Sequence, residues 1–357
     1  MTRKILLLFI CSIAIVLFAT GGWLYQVNNH QTDGDLKLPG LLEPVRVVRD
    51  GLGIPYVYAN SLDDAYRTQG FLIAQDRLFQ MEVVRHLSQG RLAELLGRPG
   101  LQSDIQMRVV GIPQMGQRHA GLLSPEARNV MELYAAGING YIDNNESEFQ
   151  LGLRVLGIQP VAWTVEDLMI IAAFTNWSSS SNMDIEIIAQ AIIDKIGPAL
   201  ADEISVVSIN PDGGGYKEPA PAVSIEQLGL DLSNFITSST KGEIELGSNH
   251  WAISGSRNAS GGAMLVNNPH IDSRTLPGIW YPMAIITPEL RIVGAAGPGA
   301  PGFAAARSEN IAYGVTNSYG DVIDLYIETV DPLNPDNYLE GGLSLIHISE
   351  PTRLGMI

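Results

Sequence analysis

The order of apolar and polar positions divides the chain into an N-terminal apolar run, a helical half and a strand-rich half. Residues 5–25 are almost continuously apolar and follow a basic N-terminus, which predicts a signal anchor, a transmembrane helix, over residues 1–26. A cleaved signal ending near Ala19–Gly22 is the alternative. The basic N-terminal side predicts that the rest of the chain lies across the membrane, in the periplasm or the extracellular space. Polar residues 27–42 are predicted to form a tether.

Residues 43–209 are predicted to be mainly helical after one hairpin. Val45–Arg49 and Ile54–Tyr58 flank a Gly-rich turn, a pattern typical of two paired strands. Asn60 or Ser61 can cap a helix that continues to Ala74. The apolar spacing then predicts further helices at Asp76–Leu96, Ser124–Asp143, Val165–Asn176 and Asp184–Lys195.

Residues 210–247 are rich in Gly, Pro and Ser, which is typical of a removable spacer and equally of an interdomain linker. Beyond this segment the helical pattern stops. Short apolar runs separated by turn residues predict an antiparallel sheet. Its strands are expected at Asn249–Ile253, Ala263–Val266, Met283–Ile286, Leu290–Val293, Ile311–Thr316 and Val322–Ile327.

Net charge and cysteine content argue against nucleic-acid binding and against disulfide or thiol chemistry. The chain carries 22 basic and 38 acidic residues, a formal net charge of −16, which argues against nucleic acid as a partner. The only cysteine, Cys11, lies within the apolar N-terminal run. We therefore expect neither disulfides nor thiol chemistry in the rest of the chain.

Ser248 is the main candidate for chemistry. It follows Gly247, which has no side chain and can adopt a strained turn in which the serine hydroxyl attacks the preceding carbonyl. The peptide bond would become an ester, and hydrolysis would leave a free amine on Ser248. An α-amine titrates near ~8 and can act as the general base for the hydroxyl on the same residue. The alternative is an ordinary turn before a strand.

Six sequence motifs resemble those of the penicillin acylase family of N-terminal nucleophile hydrolases. They are Arg49–Pro55 (RDGLGIP), Gly70–Met81 (GFLIAQDRLFQM), Gly90–Gly97 (GRLAELLG), Gly247–Trp251 (GSNHW), Val266–His270 (VNNPH) and Ile311–Asn317 (IAYGVTN). The resemblance covers Val45 to Val330. It implies an α+β fold, the four-layer αββα sandwich, with a mainly helical first chain and antiparallel sheets in the second chain. It also implies a precursor that is cut into two chains, which stay together as a heterodimer.

The resemblance assigns roles to three catalytic positions. Ser248 matches the nucleophile, and its amine matches the base. His270 matches the residue whose backbone steadies the nucleophile and which borders the acyl pocket; the alternative is a loop residue after Pro269. Asn317 matches the backbone N–H donor of the oxyanion hole. The implied reaction is hydrolysis of a linear amide in a small N-acyl compound, either a β-lactam side chain or an acyl-homoserine lactone.

The resemblance also implies a structural Ca²⁺ ion. Asp321, the Ile323 carbonyl and Asp324 match the family's calcium loop, and these are hard oxygen ligands. Asp184 matches the ligand from the first chain, with Glu186 as the alternative. These acids are equally consistent with capping turns and helices.

Two segments are set apart from the predicted site. Gly297–Gly302 fits GxGxxG, but its prolines remove backbone donors and no helix follows, so it is interpreted as a loop near the acyl pocket rather than a dinucleotide site. Leu343–Arg353 resembles a translated sequencing adapter, so residues 248–342 are expected to be the native second-chain part and 343–357 a non-native tail. The family's second oxyanion donor has no counterpart here, so the chain as recorded is expected to be inactive. A catalytically inactive, membrane-tethered binding module is the competing hypothesis.

Overall fold

The computed structural model describes residues 13, 15–22, 31, 33–145, 149–179, 182–204, 247–271, 276–316, 329–340 and 343–345. The chain separates into two units, one of residues 1–175 and 248–316 and the other of residues 176–247 and 317–357. The predicted spacer lies almost entirely outside the described residues.

The predicted N-terminal anchor also lies mostly outside the described residues. Residues 13 and 15–22 are helical. Within the ranges given above, no helix combines the length and the apolar character that a membrane crossing requires. The anchor therefore stays a prediction.

A six-stranded sheet forms the centre of the first unit, in the order β1-β2-β5-β6-β7-β8. A separate pair, β3 and β4, carries the Ser248 motif. The strands are β1 Arg46–Arg49, β2 Pro55–Tyr58, β3 Gly247–Ile253, β4 Met264–His270, β5 Tyr281–Ile286, β6 Arg291–Ala296, β7 Ala305–Ser308 and β8 Ala312–Tyr313.

One strand pair differs from the predicted antiparallel arrangement. The β1–β2 hairpin is antiparallel as predicted, as are the β5–β6, β6–β7 and β7–β8 pairs. However, β2 pairs with β5 in parallel, with Tyr56 opposite Ala284 and Tyr58 opposite Ile286. The prediction of an antiparallel sheet was therefore wrong for this pair, which also joins the first-half hairpin to the strands of the second half. Because β2 and β5 are far apart along the chain, no short turn forces them to run antiparallel.

Helices of the first unit share one hydrophobic core with this sheet. The helices of this unit are α1 Leu62–Ser88, α2 Ala93–Leu96, α3 Leu101–Val110, α4 Ile112–Leu122, α5 Pro125–Asn144, α6 Leu151–Leu156 and α7 Val165–Ser178, with 3₁₀ turns at Arg98–Gly100 and Gly255–Arg257. The second helix layer and second inner sheet of a four-layer sandwich stay a prediction.

The two helices predicted between Asn60 and Leu96 are a single long helix followed by a short one. Ser61 caps α1, as one of the predicted alternatives: its hydroxyl accepts the Asp64 N–H at 3.1 Å. The helix continues through Gln75 because no Gly or Pro interrupts it there. It ends just before Gly90, whose φ of 65° suits the left-handed conformation of a helix stop.

Two glycines allow α1 and α5 to cross closely. A Cβ at Gly70 would lie 2.1 Å from the Tyr134 carbonyl oxygen, and one at Gly137 would lie 1.9 Å from the Arg67 carbonyl oxygen. Either methyl group would force the helices apart. Beside this crossing, Phe71, Tyr134 and Ile138 belong to the main hydrophobic core together with Met283 of β5.

A buried charged cluster lies on the last turns of α1. The Glu82 side chain is fully buried; its carboxylate accepts hydrogen bonds from Arg85 at 2.7 Å and from the Trp163 indole at 2.9 Å. Arg85 also stacks on the Trp163 ring, 4.8 Å from its centroid, and lies 3.7 Å from Asp167. Burial raises the pKa of Glu82, and the charge of Arg85 opposes that rise. The contacts to Trp163 and Asp167 connect the end of α1 to the segment that leads into α7.

A second polar cluster joins the N-terminal hairpin, α1 and β5. Arg49 donates to the Asp76 carboxylate at 2.9 Å and to the Gln75 amide oxygen at 2.9 Å. The Tyr281 hydroxyl donates to the same carboxylate. Burial, followed by the charge of Asp76, raises the pKa of Tyr281 above its usual range. The Arg49–Asp76 ion pair precedes Ser248 in sequence, and the Tyr281 hydrogen bond connects it to the part of the chain after Ser248.

The Gly297–Gly302 loop lies on α1 and α5. The buried Gln69 amide donates to the Gly302 carbonyl at 2.8 Å and accepts the Gly302 N–H at 2.9 Å. The Tyr134 hydroxyl accepts the Gly299 N–H at 3.3 Å. Gly299 and Gly302 both have positive φ, at 92° and 79°, which favours glycine. The segment is therefore a loop, as the sequence predicts, and its position near the acyl pocket stays a prediction.

The second unit contains helices and a small sheet. Its helices are α8 Asn182–Ile196 and α9 Pro198–Ile204, and its strands are β9 Thr329–Asp331, β10 Asn334–Glu340 and β11 Leu343–Leu345. In β11, the start of the tail predicted to be non-native, Ser344 pairs with Leu339 of β10. The Ser344 hydroxyl also donates to Asp331 at 2.5 Å.

Candidate active site

Ser248 lies on strand β3, which pairs with β4. Its side chain is half-buried. The Thr316 hydroxyl donates to the Ser248 carbonyl oxygen at 3.0 Å. The backbone of the predicted nucleophile is therefore held by a side chain 68 residues further along the chain.

His270 is the last residue of β4, so the alternative interpretation as a loop residue was wrong. The Asn249 side-chain nitrogen lies 3.1 Å from His270 Nε2, and the Asn268 side-chain nitrogen lies 3.5 Å from the same atom. The strand pair thus links the residue after Ser248 directly to His270.

The segment before position 317 is held by Asn267 of β4. The Asn267 amide donates to the Val315 carbonyl at 2.7 Å and accepts the Val315 N–H at 3.3 Å. Gly314 lies so close to this side chain that an added Cβ would be 2.7 Å from Asn267 Cγ. Three consecutive residues, Gly314 to Thr316, are therefore seated against β3 and β4.

A small cavity of about 100 Å³ lies between the first turns of α1 and the sheet. Its lining is mainly apolar and consists of Leu62, Ala65, Tyr66, Ile285, Leu290, Ile292, Gly302, Phe303 and Tyr313. Burial, with a smaller contribution from Tyr66, raises the pKa of Tyr313. The lining contains neither Ser248 nor His270, so this cavity is not assigned as the predicted acyl pocket.

The remaining predicted site residues cannot be placed. Asn317, Asp321, Ile323 and Asp324 lie outside the described residues, and so does the side chain of Asp184 on α8. Among the side chains that the structure does describe, no group of three or more His, Cys, Asp or Glu residues could hold a metal ion.

Comparison with known protein families gives a match over most of the chain. A family model described as Penicillin amidase matches residues 44–349. The chain belongs to the penicillin amidase family. The match includes every sequence motif that carries the resemblance, among them the Ser248 strand and the Val266–His270 and Ile311–Asn317 segments.

Individual relatives in the penicillin amidase family differ in their named substrates. Penicillin acylase 2 proenzyme of Pseudomonas sp. (strain SE83) is 32% identical, over 83% of this chain and 39% of that protein. Acyl-homoserine lactone acylase QuiP of Pseudomonas aeruginosa is 30% identical, over 83% of this chain and 36% of that protein. Penicillin G acylase of Escherichia coli is 26% identical, over 85% of this chain and 43% of that protein. The chain thus spans about two fifths of the length of these relatives.

Three polar residues at this site were not predicted from sequence. Asn249, Asn267 and Thr316 all lie inside the family motifs, but no role was assigned to them. A signal was present, because each is a polar residue in or beside a strand, where its side chain can replace a ladder hydrogen bond.

Proposed function

We propose that this chain is part of an acylase that hydrolyses the amide bond of small N-acyl compounds, with Ser248 as its nucleophile. The observation that carries the proposal is the arrangement around Ser248. The predicted nucleophile lies on a strand whose next residue contacts His270, and its carbonyl is bound by Thr316. Membership of the penicillin amidase family and the names of the relatives support the same activity.

The first step is cleavage of the precursor at its own Gly247–Ser248 bond. The Ser248 hydroxyl oxygen attacks the Gly247 carbonyl carbon, the C–N bond breaks, and the acyl group moves to oxygen as the nitrogen gains a proton. Water then hydrolyses the ester and releases the upstream carboxylate. Ser248 keeps both its hydroxyl and a new α-amine.

In the hydrolysis of substrate, that amine acts as the base. An α-amine with a pKa of about 8 is roughly one tenth deprotonated at pH 7 and half deprotonated at pH 8, so a proton-accepting fraction is present across this range. It takes the hydroxyl proton as the oxygen attacks the substrate amide, and the proton then passes to the leaving amine. Water releases the acid from the acyl-enzyme. Removing one oxyanion-hole donor typically costs ~10²–10³ in rate, and we propose a contribution of this size from the backbone N–H at Asn317.

Two substrate classes remain for this activity. β-Lactam side-chain amides and acyl-homoserine lactones share the N-acyl group and differ in the amine that leaves. Relatives named for each class have similar identity to this chain. Discrimination between them rests on side chains that contribute ~1–3 kcal/mol each.

The sheet accounts for why two chains would stay together after cleavage. Strands β1 and β2 belong to the proposed first chain, and β5 to β8 belong to the second. The β2–β5 pairing and the Asp76–Tyr281 hydrogen bond connect the two. The first chain is therefore proposed as a permanent partner of the second.

N-terminal sequencing of the purified full-length protein, meaning the complete product of the gene rather than the recorded chain alone, tests this function. We expect two polypeptides that separate under denaturing conditions, elute together under native conditions, and include one that begins at Ser248. Turnover of both an N-acyl β-lactam and an acyl-homoserine lactone should then be measured with the processed protein. An intact chain across Gly247–Ser248, with no hydrolysis, would support the inactive binding module instead.

We also propose a structural Ca²⁺ ion held by Asp321, the Ile323 carbonyl, Asp324 and Asp184, with Glu186 as the alternative to Asp184. The donor set of carboxylates and a carbonyl fits a hard cation with oxygen ligands. When bound, the ion would supply cross-linking of chain segments and no catalytic chemistry.

Chelation tests the calcium proposal. We expect EGTA to lower the melting temperature and added Ca²⁺ to restore it, because a ligand that binds only the folded state stabilises that state. Asp321→Asn should remove the response, whereas Asp331→Asn, an aspartate outside the proposed site, should retain it. An unchanged melting temperature in the wild type would contradict the site.

A further inference from the structure

We propose that Asn267 and Thr316 are positioning residues that hold the Gly314–Thr316 segment against the backbone of Ser248. This inference rests on the proposed function, because its effect is on the chemistry of Ser248. Neither side chain takes part in bond making or breaking. Each is a hydrogen-bonding group that links two parts of the site.

The Asn267 side-chain amide makes the two backbone hydrogen bonds to Val315 that a residue of a neighbouring strand would otherwise make. It satisfies both the N–H and the C=O of Val315, at 3.3 and 2.7 Å, across 48 residues of sequence. An amide is the side-chain group that offers one donor and one acceptor in this geometry. Aspartate in its place keeps the acceptor and loses the donor, so it isolates half of the interaction without changing the size of the side chain.

Gly314 limits how far this segment can move. An added Cβ would lie 2.7 Å from Asn267 Cγ and 2.8 Å from its Oδ1, so the backbone is in direct contact with the amide. Displacement toward β4 is therefore blocked by contact, and displacement away from it breaks both hydrogen bonds to Val315. The side chain sets the position of the segment in both directions.

Thr316 connects the Gly314–Thr316 segment to the predicted nucleophile, Ser248. Its hydroxyl donates to the Ser248 carbonyl at 3.0 Å, and it directly follows Val315 in the chain. The connection from β4 to β3 thus runs through Asn267, Val315 and Thr316 to the backbone of Ser248. A misplacement of about 1 Å at a reacting group can cost ~10²-fold in rate, so loosening this connection is expected to slow chemistry.

The exposure of these contacts makes the effect separable from folding. Val315 and Thr316 are exposed and Asn267 is only half-buried. Exposed hydrogen bonds exchange readily with water, so each contributes only modestly to stability. A purely structural role would therefore change neither kcat nor the rate of precursor cleavage by much.

The test compares Asn267→Asp and Thr316→Val with Thr316→Ser, which keeps the hydroxyl, and with Asn258→Asp. Asn258 provides a matched control because its amide also donates to a backbone carbonyl, that of Gly262 at 2.7 Å, away from Ser248. In the full-length protein, we would measure the rate of cleavage at Ser248, kcat and KM for an N-acyl substrate, and the melting temperature.

We expect Asn267→Asp and Thr316→Val to slow cleavage and to lower kcat by ~10–100-fold, with KM within about 2-fold of the wild type. Thr316→Ser and Asn258→Asp should behave like the wild type. Wild-type rates in both test variants, or a loss confined to KM, would overturn the inference while the proposed function stands. A wild-type protein that is neither cut at Ser248 nor active would instead overturn the proposed function, and this inference with it.

Discussion

Ser248→Ala is expected to leave the precursor as one uncut chain with no measurable amide hydrolysis. The substitution removes the only oxygen that can attack the Gly247 carbonyl in the proposed reaction, and no new N-terminal amine forms. Both cleavage of the precursor and hydrolysis of substrate depend on the Ser248 hydroxyl oxygen. The loss of activity should therefore be complete rather than partial. Mass spectrometry of the purified full-length protein gives the uncut mass directly, and an assay with an N-acyl substrate gives the activity.

Two further variants make this result specific. Ser256→Ala replaces an exposed serine nearby in the chain and should be cut and active like the wild type. Ser248→Cys keeps a nucleophile at the same position and should retain some cleavage. If the alanine variant were processed at the same bond as the wild type, Ser248 could not be the group that breaks it.

The sequence predicts candidate residues for this site, but it does not predict the hydrogen bonds that connect them. Ser248 and His270 were both predicted, since a Gly-Ser pair before an apolar strand and a histidine in a family motif are visible in one dimension. The contacts that connect them join residues 21 to 68 positions apart. No local sequence pattern predicts which side-chain amide in Asn267–His270 will hydrogen-bond to Val315. That contact depends on how β3, β4 and the Gly314–Thr316 segment pack in the folded chain.

The same division holds for the fold. The Arg46–Tyr58 hairpin, the Ser61 cap and the helix Pro125–Asn144 were predictable from turn residues, capping residues and apolar spacing. The parallel pairing of β2 with β5 was not, because it depends on tertiary packing rather than on the local pattern. The continuity of α1 was missed because its buried Gln75 and its Asp76 look like a polar break in sequence.

Glu82→Ala is expected to destabilise the first unit by ~3–5 kcal/mol. The substitution leaves the buried Arg85 guanidinium without its 2.7 Å partner and the Trp163 indole N–H without an acceptor. Arg85 retains the neutral Val161 carbonyl at 3.3 Å and the face of the Trp163 ring, and its nearest remaining carboxylate is that of Asp167, at 3.7 Å. Unfolding by urea, followed through tryptophan fluorescence, measures the change.

A surface ion pair provides the matched control for Glu82. Glu94 also pairs with an arginine three residues away, Arg91, at 2.7 Å, but both side chains are about half exposed. Glu94→Ala should therefore change stability by only ~0–1 kcal/mol. Equal effects of the two substitutions would show that burial of the Glu82 pair does not determine its contribution.

The pH dependence gives a second readout for Glu82. Burial raises its pKa in the folded chain, so the folded state binds the proton more tightly than the unfolded state does. Relative to Glu82→Gln, the stability of the wild type should therefore fall as pH rises from about 4 through the folded pKa. A difference that grows with pH would mean that the ion pair with Arg85 outweighs desolvation.

The parallel bridge between β2 and β5 also constrains how the chain is made. Tyr58 cannot find its partner Ile286 until the ribosome has synthesised everything between them. Protein synthesis adds roughly 5–20 residues per second, so the β1–β2 hairpin exists for on the order of ten seconds or longer before β5 is made. During this time the edge of β2 that pairs with β5 is unpaired. An open edge of this kind can pair with other chains. Slow translation would therefore favour aggregation of the nascent polypeptide, and a chaperone that shields Pro55–Tyr58 should raise the yield of folded protein.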